Sequence, residues 1–214
     1  MSRAIFCLVM MARPSSAWTA ANGMPNRRRF VVKGSLATAA SILTGSKVAF
    51  AAKTPSPVVF CDESVMSKKA HGTTAAAVQP NLLFNVNHDE ADRICSFNRH
   101  FAEPAGSFKR GPFVSIMNAT PDEPRTFYDS VTGLPLFKAP IGRTTSEFLS
   151  ESNKHGWPSF RDNEVIWENV RVLKSSGETV ALSGTHLGHN LPDFSGNRYC
   201  INLCCIAGNP LTIS

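Results

Sequence analysis

Acidic side chains are absent from the first 51 residues, where seven basic ones stand: Arg3, Arg13, Arg27, Arg28, Arg29, Lys33 and Lys47. Residues 52–214 carry 15 Lys and Arg against 16 Asp and Glu, so the formal charge of +6 belongs to the start of the chain. That location removes the electrostatic case for nucleic-acid binding by a folded domain, which would need a basic surface of its own. An apolar run of the roughly 20 residues that span a bilayer is also missing. Ser, Thr, Gly and Lys interrupt the stretch from Gly34 to Phe50. Internal repeats are lacking too, which excludes a solenoid or propeller. The 214 residues, 43% of them hydrophobic and 14 of them Phe, are enough for one globular domain behind a leader.

The leader has a recognisable grammar. Arg27-Arg28-Arg29-Phe30-Val31-Val32-Lys33 precedes small and apolar residues that end in Ala49-Phe50-Ala51. A charged start, a modest apolar stretch and a small-residue end make an export signal. Paired arginines followed by Phe and Lys resemble a twin-arginine signal. Residues 1–51 are therefore read as directing export to a periplasm, with a thylakoid lumen as the alternative. No stable membrane insertion is expected after cleavage. Met24, just ahead of the arginines, is a second candidate start.

Residues 52–86, rich in Ala, Thr, Pro and Lys without a sustained period, read as a linker or flexible arm. Residues 87–214 read as the functional domain. His88 to Phe108 carries a helical pattern (Ala91, Ile94, Cys95, Asn98, Ala102) that Pro104 and Gly106 end. Beyond it, short apolar runs alternate with Gly, Pro, Asn and Asp turns: Phe113–Ile116, Val165–Trp167, Val170–Leu173 and Tyr199–Ile206. Lys174-Ser175-Ser176-Gly177 looks like a hairpin connection, and Thr144 to Ser152 like a short helix. The expected fold is mainly antiparallel β with a helix packed at its start.

One strand stands out. In Arg198-Tyr199-Cys200-Ile201-Asn202-Leu203, alternation places Tyr199, Ile201 and Leu203 on a core face and Arg198, Cys200 and Asn202 on the other. A cysteine flanked by a cation and an amide is not dressed as a packing residue, and the cation favours the nucleophilic thiolate; a small buried hydrophobe is the other reading. If cleavage follows Ala51, Cys61, Cys95, Cys200, Cys204 and Cys205 remain, an odd number, so at least one thiol is unpaired within the chain. Cys204 would lie roughly 13 Å along a regular strand from Cys200, beyond the roughly 7 Å between Cα atoms that a disulfide tolerates. Cys61 and Cys95 are the better candidates for a second redox thiol.

His186-Leu187-Gly188-His189 admits a metal pair, an acid–base pair or two structural histidines. Only Asp193 stands near enough in sequence to add a ligand, so one functional and one structural histidine fits better than metal. In Gly156-Trp157-Pro158-Ser159-Phe160 the proline favours an extended Trp157 and the glycine a tight turn before it. An indole presented in that way suits an apolar methyl or sulfur group; a core tryptophan is the other reading.

Gly156–Phe160, then Thr185–His189, then Arg198–Asn202 together resemble the three signature blocks of the B-type, R-stereospecific peptide-methionine sulfoxide reductases, in that family's order. Gly133-Leu134-Pro135-Leu136-Phe137 matches a fourth, weaker block, and the resemblance spans roughly residues 95–208. It implies two antiparallel sheets in a β-tent. It also implies reduction of methionine-R-sulfoxide, free or in oxidised proteins and peptides, through a sulfenic acid on Cys200. Trp157, with Gly156 and Phe160, would form the methyl pocket. His189 and Asn202 would hold and protonate the departing oxygen, with His186, Asp193 and Arg198 in support. The electron donor implied is an external thiol, such as a thioredoxin-like protein.

Three departures qualify the match. Where many members hold zinc with two Cys-x-x-Cys pairs, this chain has Asp129 and Thr132, then Val180 and Ser183, so no zinc or other cofactor is expected. The position that often carries a resolving cysteine is His155. The family's orienting glutamate falls, on the most direct alignment, at Asn169 within Glu168-Asn169-Val170. The alternatives are a non-catalytic β-tent that kept the pocket, or a reductase of another small sulfoxide. Dependence of turnover on Cys200 separates an enzyme from a binding module.

Overall fold

The computed structural model describes residues 58–211, so the stretch read as a leader with an export signal lies outside the described residues. Eight strands are present: β1 (Phe60–Cys61), β2 (Arg125–Tyr128), β3 (Pro135–Ala139), β4 (Ser159–Phe160), β5 (Val170–Leu173), β6 (Glu178–Ala181), β7 (His186–Asn190) and β8 (Tyr199–Ile201). Three α-helices accompany them: α1 (His88–Asp92), α2 (Phe113–Ala119) and α3 (Thr145–His155). Six strands form one sheet in the order β1-β5-β6-β7-β8-β4, and β2 pairs with β3 in a separate hairpin. The fold is mainly β with two sheets and few helices. One pair departs from the expected antiparallel pattern: the edge strand β1 runs parallel to β5.

The β5–β6 turn at Lys174–Gly177 closes as the sequence suggests, with the Gly177 amide donating to the Leu173 carbonyl. Helix α3 starts at a capping box. The Thr144 hydroxyl accepts from the Glu147 amide while the Glu147 carboxylate accepts from the Thr144 amide. It ends at Gly156 with φ +91°, a left-handed cap; a Cβ there would lie 2.9 Å from that of Ala105.

Other segments differ from expectation. The helical run from His88 stops at Asp92, continues as one π-helical turn (Arg93–Phe97), and gives way to an extended loop well before Phe108. Phe113–Ile116, read as a strand, is the start of α2. Its run of neighbouring apolar residues fits either period, and the short segment buries Phe113 and Met117 on one helical face. Val165–Trp167 makes only an isolated bridge from Val165 to Phe137. From Val58 on, the stretch read as a flexible arm is part of the folded unit. β1 extends the sheet, Val78 and Met66 are buried, and Gln79 is bonded through its side chain to the main chain of Asn209 at both ends.

The core centres on aromatic rings drawn from both sheets and two helices. Phe160 of β4 stacks on Phe137 of β3 with ring centroids 4.4 Å apart and meets Phe127 and Phe148 at 5.4 Å. Burying each such side chain contributes about 2–3 kcal/mol.

At one end of the domain a single carboxylate ties two loops together. Asp129 is fully buried and accepts four hydrogen bonds: from the Val131 amide (3.0 Å) and from the hydroxyls of Thr132 (2.7 Å), Ser183 (2.8 Å) and Thr185 (2.9 Å). It thereby joins the β2–β3 turn to the β6–β7 turn.

Candidate functional site

Strand pairing assembles the site in one row. Ser159 of β4 is opposite Cys200 of β8, Cys200 is opposite His189 of β7, and His189 is opposite Glu178 of β6. Directly opposed residues share a face of the sheet, so chemistry from four strands converges there. Gly188 makes the approach possible. A Cβ on it would stand 2.0 Å from the Cys200 carbonyl oxygen, so a side chain at 188 would force β7 away from β8.

Over this row lies a cavity of about 260 Å³, lined by Cys200, His189, His186, Asn202, Trp157 and the Arg99–Ala102 loop, with Gly188 and Leu191. Cys200 is half-buried, and its flanking residues behave as the alternation predicts. Tyr199, Ile201 and Leu203 are buried in the core, whereas Arg198 and Asn202 lie on the side of the thiol. The Arg198 guanidinium donates through Nη1 to Cys200 Sγ, and Ser159 Oγ lies 3.8 Å from the same sulfur. Arg198 is held in turn by Asp193 (Nε to Oδ2, 3.2 Å). Asp193 also receives two bonds from Arg161, at 3.0 and 2.9 Å, and Arg161 reaches Glu151. These contacts keep the Asp193 carboxyl well below the usual carboxylate range, the Arg161 bonds foremost.

The histidines divide their work. His186 is buried with Nδ1 2.8 Å from Glu178 Oε1, and Arg99 grips the same carboxylate through Nε and Nη2. Burial pushes the Glu178 carboxyl up, but the bonds from His186 and Arg99 outweigh it and hold it low. His189 has no such anchor. It is half-buried over the cavity, and burial, with His186 beside it, lowers its tendency to take a proton. At neutral pH its imidazole is the neutral form.

Asn202 is oriented by its neighbours. Its Oδ1 accepts from the Glu103 amide (3.0 Å) and its Nδ2 donates to the Leu187 carbonyl (3.2 Å). One N–H of the amide is left for the cavity. Trp157 is pinned through its indole N–H to the Glu103 carbonyl at 2.9 Å.

Two residues expected in the methyl pocket are elsewhere. Phe160 is fully buried in the aromatic core, because it follows Ser159 by one residue and so faces away from Cys200. Gly156 serves as the cap of α3 and does not line the cavity. Three participants went unseen in the sequence: Glu178, Arg99 and Glu103. Asn169, placed by alignment where a glutamate was sought, donates to the Pro135 carbonyl away from the cavity. The carboxylate bonded to a cavity histidine is Glu178, whose Oε1 lies 2.8 Å from His186 Nδ1.

The other cysteines of the described residues are poorly placed to reach Cys200. Cys61 sits on β1, four strand spacings from β8 in the sheet, or about 19 Å at roughly 4.8 Å each. Cys95, Cys204 and Cys205 are buried together in the core, with Cys204 Sγ 3.8 Å from Cys205 Sγ. The chain does turn after Ile201, into a 3-10 helix at Leu203–Cys205, but Cys204 points into the core, where burial pushes its thiol up to about 12. Cys95, earlier a candidate resolving thiol, is likewise raised by burial and fully enclosed.

The four positions where the resembled family holds zinc do not fit that ion. Val180 offers no ligand atom, Thr132 and Ser183 offer only hydroxyls, and the Asp129 oxygens are engaged by four donors. A second cleft of about 620 Å³ runs between α3 and the Asp193–Ser195 loop. Glu151, His155 and Asp193 approach one another there, with both carboxylates bound to Arg161.

Comparison of the chain with family models, with curated proteins and with solved structures gives no match.

Proposed function

We propose that this chain reduces methionine-R-sulfoxide, and that its two sheets with the short N-terminal helix α1 form the β-tent of a B-type methionine sulfoxide reductase. The observation that carries the reading is the surrounding of Cys200: a guanidinium at its sulfur, and an indole, a neutral histidine and a free amide N–H around the space above it.

The chemistry follows from those groups. The Cys200 sulfur attacks the sulfoxide sulfur while Arg198 stabilises negative charge on the attacking atom. The sulfoxide oxygen, held by the free N–H of Asn202 and by His189 directly or through water, takes up protons and moves to Cys200. The products are the thioether and a cysteine sulfenic acid. Trp157 gives the substrate methyl an aromatic wall. With no second thiol of the described residues placed to reach it, an external thiol condenses with the sulfenic acid, releasing water and forming a mixed disulfide. A second external thiol frees Cys200 and leaves as the disulfide. The sum is one sulfoxide and two thiols giving one thioether, one disulfide and one water.

The test is single-turnover reduction of separated R and S epimers of a methionine sulfoxide peptide, with Cys200→Ser beside it. Loss of the R epimer alone, abolished in the variant, supports the reading. No loss of either epimer with folded, thiol-reduced protein overturns it and favours a binding module that keeps the pocket. Preference for a different small sulfoxide would retain the reaction and change the substrate.

A further inference from the structure

Glu103 is a buried carboxylate without a cation. The residue is 6% exposed, none of the ion pairs among the described residues includes it, and its Oε2 accepts from the Cys204 amide at 3.2 Å. A buried acid with no cation beside it is costly to keep. Its main chain, by contrast, touches the site twice. The Glu103 amide donates to Asn202 Oδ1 and the Glu103 carbonyl accepts from the Trp157 indole.

These contacts lie on two sides of one residue. The carboxylate is fastened to the turn that follows the thiol strand, and the peptide groups bear on two residues that line the cavity, Asn202 and Trp157. Pro104 restricts Glu103 to extended backbone, which separates its amide and carbonyl along the chain. The segment is stitched down again three residues on, where the Gly106 amide donates to the Gly156 carbonyl at 2.7 Å.

We propose that Glu103 is a positioning residue for the site. Its carboxylate, anchored on the 203–205 turn, sets the main chain that fixes both the amide of Asn202 and the indole of Trp157. The orientation of Asn202 is the sharpest consequence. Because the Glu103 N–H demands an acceptor, Oδ1 turns toward it and Nδ2 toward the Leu187 carbonyl, which leaves the second N–H of the amide as the donor for the pocket. Were the Glu103 main chain displaced, Oδ1 would lose its donor and the amide would be oriented only by the Nδ2 bond to the Leu187 carbonyl. The role in turnover rests on the proposed reductase reading; the positioning itself does not.

The test therefore reads positioning and turnover separately, in Glu103→Gln and Glu103→Ala. Solvent exchange of the Trp157 indole proton is followed by NMR, assigned with Trp157→Phe, and the Trp167 indole serves as the internal reference. We expect Glu103→Ala to speed exchange at Trp157 by at least about tenfold and leave Trp167 unchanged. We expect Glu103→Gln, which keeps an acceptor for the turn amide, to stay within about threefold. In turnover, Glu103→Ala should raise KM for a sulfoxide peptide by about tenfold and lower kcat as well, with most of both restored in Glu103→Gln. Should Glu103→Ala fail to fold, the same readings are made on Glu103→Asp, which withdraws the carboxylate by one methylene. Unchanged exchange at Trp157 in a folded variant that has lost the carboxylate contact overturns the proposal, whatever the activity. Faster exchange in a protein without reductase activity upholds the positioning and overturns the function alone.

Discussion

Arg198 and Cys200, two residues apart on one face of β8, are joined by a guanidinium-to-sulfur hydrogen bond, and Asp193 holds the arginine from behind. A charge-assisted bond of this kind contributes about 1.5–3 kcal/mol, which corresponds to roughly 10- to 150-fold in rate when it acts only in the transition state. Arg198→Met is therefore expected to lower kcat/KM within that range. Asp193→Asn, which leaves the guanidinium in place, should cost about tenfold or less. A variant at Arg198 with unaltered kcat/KM would remove the arginine from the mechanism.

Oxidised protein is expected to carry the lesion on Cys200 alone. After one turnover without reductant, intact mass should rise by one oxygen, and proteolytic mapping should find no disulfide between Cys200 and Cys61, Cys95, Cys204 or Cys205. Cys61→Ser should leave multiple turnover with a small external thiol unchanged. A Cys200–Cys61 crosslink would mean that the sheet opens at β1 during the cycle.

The Asp129 knot should be a stability element indifferent to chelators. Asp129→Ala strands three hydroxyls and an amide and is expected to cost about 2–4 kcal/mol. For a domain of this size that lowers the melting temperature by roughly 5–15 °C. Adding EDTA should not move the melting temperature of the unaltered protein. A drop on chelation would show that a metal bears on this fold.

Phe160 and Trp157 should separate cleanly. Phe160→Ala is expected to destabilise the fold by about 3–5 kcal/mol, and the milder Phe160→Leu to leave KM untouched. Trp157→Phe, which loses the indole bond to Glu103, should raise KM with a small change in melting temperature. A KM effect from Phe160→Leu would return that ring to the pocket wall.

Stability should fall toward acid in two stages. His189 binds a proton less readily folded than unfolded, so its contribution is complete above its ordinary value of 6.5 and is lost as the pH falls below. His155, lowered by burial and by Arg198, adds to the same limb. Glu178 is depressed below its ordinary 4.5, so its contribution is full above that pH and disappears as the pH drops through the lower folded value. Melting curves taken from pH 7.5 to 3.5 should show the upper limb reduced in His189→Gln and the lower limb reduced in Glu178→Gln. An upper limb unchanged in His189→Gln and a lower limb unchanged in Glu178→Gln would contradict the two assignments.

The strand of the thiol could be read from sequence because alternation is a local property: Tyr199 and Ile201 face the core for the same reason that Cys200 does not. The capping box of α3 and the β5–β6 turn are local in the same sense. What escaped was non-local. Residues 58–86 have no period to reveal them, since they are held by irregular contacts such as Thr74 to Ser96 and Gln79 to Asn209. Glu178 escaped because its bonds to His186 and Arg99 join three separate segments, which no local pattern shows. Glu103 acts through its peptide groups, and main-chain hydrogen bonds leave no trace in residue identity. Phe160 was misplaced because a motif joins neighbours in sequence, while a strand sends them to opposite faces.

Gly188 gives the middle of His186–His189 a meaning apart from chemistry. With the Cys200 carbonyl 2.0 Å from where a Cβ would stand, the position is a spacer that sets how closely two strands approach. In a saturation library scored for retained function, position 188 should thus be as intolerant as the thiol itself, and alanine as unwelcome as tryptophan. Neighbouring Leu187, buried but bounded by side chains, should accept other aliphatic residues.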